Sequence, residues 1–320
     1  MIGIANTELK VRPLCLGTAN YGTAMEDEAA FRQMDRFLDG GGNFLDTAHV
    51  YGDWGNRGPA ISERIIGQWL SDRGYRSRVV ISTKGAHPEL ASMQIPRLDG
   101  DSIRSDLQDS LKSLRTDYID LYFLHRDDTA RPVEEILGVL EEARARGDIR
   151  YYGCSNWSRE RMIQAQTYAA KAGLTGFACN QLMWSMADIN PEGLWDKTMK
   201  VMDRETFVYH KESNLSAMAY TSIANGYFSR KAGGKEITSS LDGTYGNASN
   251  EAILEYLMTN MPEGYTMLEL CLFYFHVQPF PAIPIASFSN DRQMEEALGS
   301  IKKECPTELL ETVSRMKQFT

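Results

Sequence analysis

The sequence predicts an α/β protein, a (β/α)8 TIM barrel with a short N-terminal β-hairpin and long barrel-top loops. Three observations lead there. From residue 13 onward, short apolar β-rich runs alternate with longer amphipathic segments, the pattern of βα units around a parallel sheet. Eight such runs fit within 320 residues, a length that suits one large barrel. The first run is followed by Leu16-Gly17-Thr18-Ala19-Asn20, which lacks the GxGxxG that a doubly wound dinucleotide fold would place there.

Taken in order, Ile2 to Val11 reads as the hairpin, with Asn6-Thr7 between two short extended segments. The expected strands are Pro13–Gly17, Phe44–Ala48, Val79–Lys84, Ile119–His125, Tyr151–Ser155, Gly176–Gln181, Leu215–Tyr220 and Ala282–Ser287. Between them, Glu26–Asp39 carries Ala30, Phe31, Met34, Phe37 and Leu38 at helical spacing and stops at Gly40-Gly41-Gly42. Pro132–Arg146 starts on a proline and ends at Gly147, the usual asymmetry of helix ends. Ser158–Ala172 opens on a serine cap and closes at Gly173. Two interruptions, Gly85–Gly100 and Tyr227–Asn250, follow strands and are rich in Gly, Ser, Pro and charge. They are expected to be barrel-top loops. No low-complexity linker divides the chain, so residues 1–320 are read as a single domain.

Composition narrows the function. The hydrophobic share of 42% and charged share of 24% are those of an ordinary globular core and surface. A net charge of −9, with both signs interspersed, argues against a nucleic-acid surface. Cys15, Cys154, Cys179, Cys271 and Cys305 are scattered in or beside apolar stretches without a CxxC pair, so buried reduced thiols are expected. Met1-Ile2-Gly3-Ile4-Ala5-Asn6 lacks the basic start and apolar core of a signal peptide. No apolar run approaches the ~18 residues of a membrane span. A cytoplasmic compartment and no membrane partner are therefore expected. His49, His87, His125, His210 and His276 lack ligand spacing such as HExxH, so no metal site is expected.

In a barrel of this kind, reactive side chains converge at the C-terminal ends of the strands. Polar groups recur there: Asp46-Thr47-Ala48-His49-Val50-Tyr51, Ser82-Thr83-Lys84, Leu124-His125, Ser155-Asn156, Asn180-Gln181 and Tyr220. Alone, an Asp or Lys after a strand is usually a solvated loop charge, and a His is usually structural. Their joint occurrence on three consecutive strands is what points to chemistry. Reduction of a carbonyl by hydride needs a proton donor at the oxygen. Tyrosine, with a pKa of about 10, donates poorly near neutrality. A nearby ammonium stabilises tyrosinate, and a carboxylate keeps that ammonium charged. Tyr51 as acid, Lys84 as ammonium and Asp46 as its partner satisfy this logic. His125 would direct the carbonyl oxygen, and His49 reads as a bystander.

These residues make the chain resemble the aldo-keto reductase family, from about Lys10 to Glu296. Asn43-Phe44-Leu45-Asp46-Thr47-Ala48-His49-Val50-Tyr51-Gly52 is similar to the family's first signature. Ile81-Ser82-Thr83-Lys84 is similar to its lysine motif, and Asp117 to His125 matches its histidine strand. The resemblance implies that Ser155, Asn156 and Gln181 hold a nicotinamide carboxamide and that Tyr220 stacks on the ring. Gly17, Thr18 and Asp46 would join them. The stretch Tyr220 to Lys231 is similar to the pyrophosphate loop, with Thr221, Ser222, Ile223, Ala224, Gly226 and Lys231 as contacts. Ser222 stands where the family usually has proline. Beyond the last strand, Ser287, Ser289 and Gln293 could bond a 2′-phosphate, with Arg292 either helping or merely exposed. The family's habit favours NADP(H), with NAD(H) as the alternative.

Asn20, Tyr21, Tyr51, Trp54, His125, Arg126 and Trp184 are the candidate substrate contacts. Aromatic groups there could stack on a sugar face or a ring, although Trp184 suits core packing equally well. Arg126 could engage a polar substrate or pair with Asp127 or Asp128. The substrate expected is a small carbonyl or alcohol, leaning toward a sugar or other hydroxylated compound. Two alternatives remain: a nicotinamide-binding redox-sensing regulatory subunit, and a Schiff-base aldolase using Lys84.

Overall fold

A computed structural model describes residues 1–194 and 196–317. Strands β1 (Ile2–Gly3) and β2 (Lys10–Val11) form the antiparallel hairpin. Eight parallel strands then close a barrel: β3 (Cys15–Gly17), β4 (Phe44–Asp46), β5 (Val80–Gly85), β6 (Ile119–Leu124), β7 (Ile149–Ser155), β8 (Cys179–Met183), β9 (Ser216–Tyr220) and β10 (Ala282–Ala286). Neighbours follow chain order, and β10 returns to pair with β3. Helices α1 (Asp27–Asp39), α2 (Ile61–Arg73), α3 (Gly100–Ser113), α4 (Val133–Arg146), α5 (Arg159–Ala172) and α6 (Arg204–Ser213) alternate with the strands. Between β9 and β10 lie α7 (Tyr227–Ala232), α8 (Ser239–Tyr245), α9 (Ala248–Asn260) and α10 (Met267–Phe273). The chain then runs through α11 (Asp291–Lys302) and α12 (Thr307–Met316).

The helices form where their sequence can both cap and bury. In α4, Val133, Ile136, Leu137, Leu140 and Ala143 make one buried face, and Gly147 ends the helix at φ +85°. That left-handed conformation suits a residue without a Cβ. In α5, the Ser158 side chain accepts from the Arg161 amide, supplying one of the bonds a helix start lacks.

The hairpin closes the N-terminal end of the barrel. Ala5 N–H donates to Ser216 Oγ at the start of β9, and Glu8 N–H to the Tyr151 hydroxyl on β7. Ile4, Leu9 and Val11 pack onto the barrel interior, joining Cys15, Phe44, Leu121, Phe123, Met218 and Ile283. At the same end, buried Asp120 on β6 accepts from Arg76, Arg150 and the Ile81 amide, tying β6 to its neighbours.

Two expectations need correction. The sixth barrel strand begins at Cys179 rather than Gly176, because Gly176 sits at φ +72° with its N–H bonded to the Tyr152 hydroxyl. The 227–250 segment is not an irregular loop. It folds into α7, α8 and the start of α9, with Thr238 and Asn247 as side-chain caps.

Candidate active site

Along a strand, every second side chain faces the same way. Cys15, Phe44, Phe123, Cys179, Met218 and Ile285 belong to the apolar interior. Two residues further on, at the C-terminal ends, stand Gly17, Asp46, His125, Gln181, Tyr220 and Ser287. The inward face of the barrel therefore turns polar at one mouth. On β5, Ser82 lies opposite Asp46, and Lys84 is two residues beyond it on the same face.

Lys84 Nζ donates to Asp46 Oδ2 at 2.7 Å, to the Thr47 carbonyl at 2.6 Å and to the Tyr51 hydroxyl at 3.2 Å. Asp46 Oδ1 accepts from Ser82 Oγ at 2.7 Å and from Gln181 Nε2 at 2.9 Å. Lys84 is 1% and Asp46 2% exposed, so both charges depend on this mutual satisfaction. The loop carrying Tyr51 is pinned by its backbone: Thr47 N–H bonds the Ser82 carbonyl and His49 N–H the Lys84 carbonyl. The His125 ring lies against Tyr51, with centroids 5.9 Å apart.

Electrostatics set the protonation states. Burial alone would lower the Lys84 pKa, but Asp46 and Tyr51 outweigh it and the ammonium is held above its ordinary value. Burial raises the Tyr51 pKa. Lys84 pulls it down, Asp46 pushes it up, and the net result is above the ordinary value. The expectation that the ammonium would lower it overall is thus corrected: Lys84 only moderates the desolvation. Burial, with His87, Arg126 and Lys84 adding, drives the His125 pKa well below its ordinary value, so its imidazole is neutral near pH 7.

Two cavities meet at Tyr51 and Tyr220. One, of about 490 Å³, is walled by Val50, Trp54, Leu90, Met93 and Met199 around Tyr51 and His125. Ser155, Asn156 and Gln181 also line it, and Asn156 Oδ1 accepts from the Tyr220 hydroxyl at 2.7 Å. The other, a cleft of about 590 Å³, runs from Tyr51 and Asp46 past Gly17, Thr18 and Asn20 to Ser289 and Gln293. Thr221, Ile223, Gly226 and Ser287 line it too. Its wall at Gly17 is tight: a Cβ there would meet Ser287 Oγ at 2.8 Å and Ile285 Cγ2 at 2.9 Å. Arg230 and Lys235 also line the cleft, and neither has an ion-pair partner among the described residues. A long cleft with two cations along it and Gln293 in the first turn of the capped helix α11 fits a dinucleotide.

Several expected contacts fall elsewhere. Ser222 is fully buried, its hydroxyl donating to the Ile285 carbonyl at 2.7 Å, and so ties β9 to β10 instead of facing the cleft. Ala224 is buried beneath the same loop. Lys231 pairs with Glu251, and Arg230 takes the cleft position. Adjacent residues on a helix differ by about 100°, so only one of these two can face it. Arg292 lines an adjoining crevice that shares Ser229, Lys235 and Gln293 with the cleft. Asn20 lines the cleft rather than the substrate pocket. Tyr21 is core, its hydroxyl bonded to Gln33 at 3.0 Å. Trp184 is core as well, packed among Phe207, Tyr274, Phe275 and Phe280.

Arg126 does reach the pocket, but it pairs with Asp196 at 3.0 Å, not with Asp127 or Asp128. The pocket is accordingly more apolar than its strand ends suggested. Sequence reasoning missed Leu90, Met93, Asp196, Met199 and His87, because their loops fold over the mouth from distant positions. Arg230 and Lys235 were also missed. Their cluster of basic residues just after the Tyr220–Gly226 loop was the available signal.

Comparison with known proteins places this geometry in context. A model of the Aldo/keto reductase family matches residues 13–317. An uncharacterised oxidoreductase of Bacillus subtilis is 33% identical over 72% of this chain and 68% of its own. An aryl-alcohol dehydrogenase [NADP(+)] of Phanerodontia chrysosporium is 34% identical over 62% of this chain and 51% of its own. A norsolorinic acid reductase of Emericella nidulans is 36% identical over 55% and 48%. The alignments thus span about half the length of these fungal relatives. The fold is similar to that of an aldo-keto reductase from Bacillus halodurans in its holo form, with a TM-score of 0.74 and 24% identity, covering 100% of this chain and 96% of that one.

Proposed function

Because the chain belongs to the Aldo/keto reductase family, we propose that it is an NAD(P)H-dependent oxidoreductase that reversibly reduces an aldehyde or ketone to an alcohol, with Tyr51 as proton donor. The observation that carries this reading is the buried ammonium of Lys84, 2.7 Å from Asp46 and 3.2 Å from the hydroxyl of Tyr51, a residue that lines both cavities.

When bound, the nicotinamide supplies the hydride that makes the carbonyl oxygen negative. Tyr51 answers that charge. Its raised pKa keeps the phenol protonated at neutral pH, and an alkoxide is a stronger base than tyrosinate, so the transfer runs downhill. Lys84 then stabilises the tyrosinate left behind. The neutral imidazole of His125 donates a second hydrogen bond to the same oxygen.

Ser155, Asn156, Gln181 and Tyr220 would hold the nicotinamide end, and Gly17, Thr18, Thr221, Ile223, Gly226 and Ser287 the middle. Arg230 and Lys235, with Ser289 and Gln293, would receive a 2′-phosphate. That pair of cations favours NADP(H), as does the NADP(+) in the name of the aryl-alcohol dehydrogenase relative. NAD(H) remains the alternative, decided by comparing the two Kd values. The apolar wall of Val50, Trp54, Leu90, Met93 and Met199 favours an aromatic or bulky apolar carbonyl over a sugar. A cytoplasmic place of action, where buried thiols stay reduced, completes the proposal.

The test is NADPH oxidation, followed at the nicotinamide absorbance, with a panel of aromatic aldehydes, aliphatic ketones and keto-sugars. Turnover of the aromatic members is expected. Tight NADPH binding without turnover across the panel would favour a regulatory subunit. The Schiff-base reading needs a neutral lysine, whereas Asp46 and Tyr51 hold Lys84 protonated. Borohydride trapping of an adduct on Lys84 would reverse that judgement.

A further inference from the structure

The substrate pocket contains a second imidazole that the proton-transfer machinery does not use. His87 follows β5 by two residues and lines the pocket beside His125, with ring centroids 4.6 Å apart and planes at 65°. Its Nδ1 lies 2.7 Å from the Pro88 carbonyl oxygen. A carbonyl can only accept, so Nδ1 carries the hydrogen and the tautomer is fixed. The remaining nitrogen, Nε2, has no protein partner among the described residues. Burial, with Arg126 adding, pushes the His87 pKa down to about 4, so near neutrality Nε2 presents a lone pair.

The surroundings make that lone pair selective. Arg126, the pocket's cation, is committed to Asp196, and both are nearly buried. Gln181 donates to Asp46, and Asn156 Oδ1 accepts from Tyr220 and from the Lys200 amide. His125 faces the pocket from its floor with its Nδ1 buried and unpartnered among the described residues. The walls are Trp54, Leu90, Met93 and Met199. A substrate filling this space displaces water from His87 Nε2 and must replace the lost hydrogen bond or leave the acceptor unsatisfied.

We propose that His87 is a specificity-determining residue whose Nε2 accepts a hydrogen bond from a hydroxyl on the substrate, so that the site selects hydroxylated aromatic carbonyl compounds over their unsubstituted parents. The inference rests on the reductase reading of the same pocket. A site built to bond a hydroxyl discriminates strongly against the analogue lacking it, whereas an apolar wall alone barely distinguishes the two.

The experiment compares 3-hydroxybenzaldehyde with benzaldehyde in the holoenzyme. In parallel, calorimetry measures binding of 3-hydroxybenzyl alcohol and benzyl alcohol to the protein with its nicotinamide cofactor. The wild type should favour the hydroxylated member at least fivefold in kcat/KM and in Kd. His87→Leu should bring both ratios close to one, whatever happens to the absolute rates. His87→Gln, which can place an amide oxygen near the Nε2 position, should restore part of the preference. A wild-type ratio near one, or a preference that survives in His87→Leu, would overturn the assignment. Hydroxyl-dependent binding without turnover of either aldehyde would support His87 and strike the reductase reading alone. Binding of neither alcohol would overturn the inference.

Discussion

Asp46 and Lys84 each take a full charge out of water, and each is tolerable only because the other is there. Removing one partner leaves the survivor buried with only neutral hydrogen bonds. Lys84→Met should therefore cost about 3–5 kcal/mol in urea denaturation, on top of the loss of turnover. The pH dependence follows from the direction of the shift. The folded-state pKa of Lys84 is raised, so the pair's contribution is complete below the ordinary lysine pKa and fades as pH climbs through the higher folded value. Glu63 behaves differently. It is fully buried on α2 and accepts from Thr83 Oγ1 at 2.5 Å, yet burial still pushes its pKa up to about 7. The folded state then binds the proton more tightly than the unfolded chain, so stability falls as pH rises from about 4.5 to about 7 and is level above that. Glu63→Gln removes this loss. Its melting temperature relative to wild type should rise between about pH 5 and pH 8, and an unchanged difference would refute the raised pKa of Glu63 in the folded state.

At the level of elements, the helices hold the mouth in shape from outside the barrel. Gly67 in α2 makes the closest approach to a neighbouring backbone. A Cβ there would run into the Ser113 carbonyl and come within 2.7 Å of the Leu114 backbone at the end of α3. Alanine would improve intrinsic helix propensity by about 1 kcal/mol. The clash is with backbone, which cannot swing aside, so overpacking wins. Gly67→Ala should destabilise the protein by about 1–3 kcal/mol by thermal or chemical melt. The loop from β9 to α7 shows the opposite use of unusual backbone. Thr221, Ala224, Asn225 and Gly226 all have φ between +48° and +79°. For Thr221, a β-branched residue, this is a strained conformation, and it lies on the wall of the long cleft.

Across the whole molecule, what the sequence made legible was whatever follows from a period of two. Phe44 and Asp46, Phe123 and His125, Cys179 and Gln181, Met218 and Tyr220 each step from apolar interior to polar mouth along one strand face. Reading those strand ends was enough to bring Asp46, Tyr51, Lys84 and His125 together at one mouth of the barrel. What stayed hidden depends on contacts between distant segments. Asp196 neutralises Arg126 from 70 positions away, and Leu90, Met93 and Met199 reach the pocket on loops whose paths no local pattern specifies. Tyr21 and Trp184 look like mouth residues because they follow strands, but the helical layer outside the barrel buries them. Lys231 and Arg230 were separable only once the rotational phase of α7 was known.

The central claim is that Tyr51 gives the proton. Tyr51→Phe removes one oxygen and leaves the Lys84–Asp46 pair in place, so steady-state turnover and NADPH binding should be measured on the same preparation. The account predicts a kcat lower by about 10²–10⁴ with the NADPH Kd changed by no more than about threefold. Full turnover by Tyr51→Phe would contradict it.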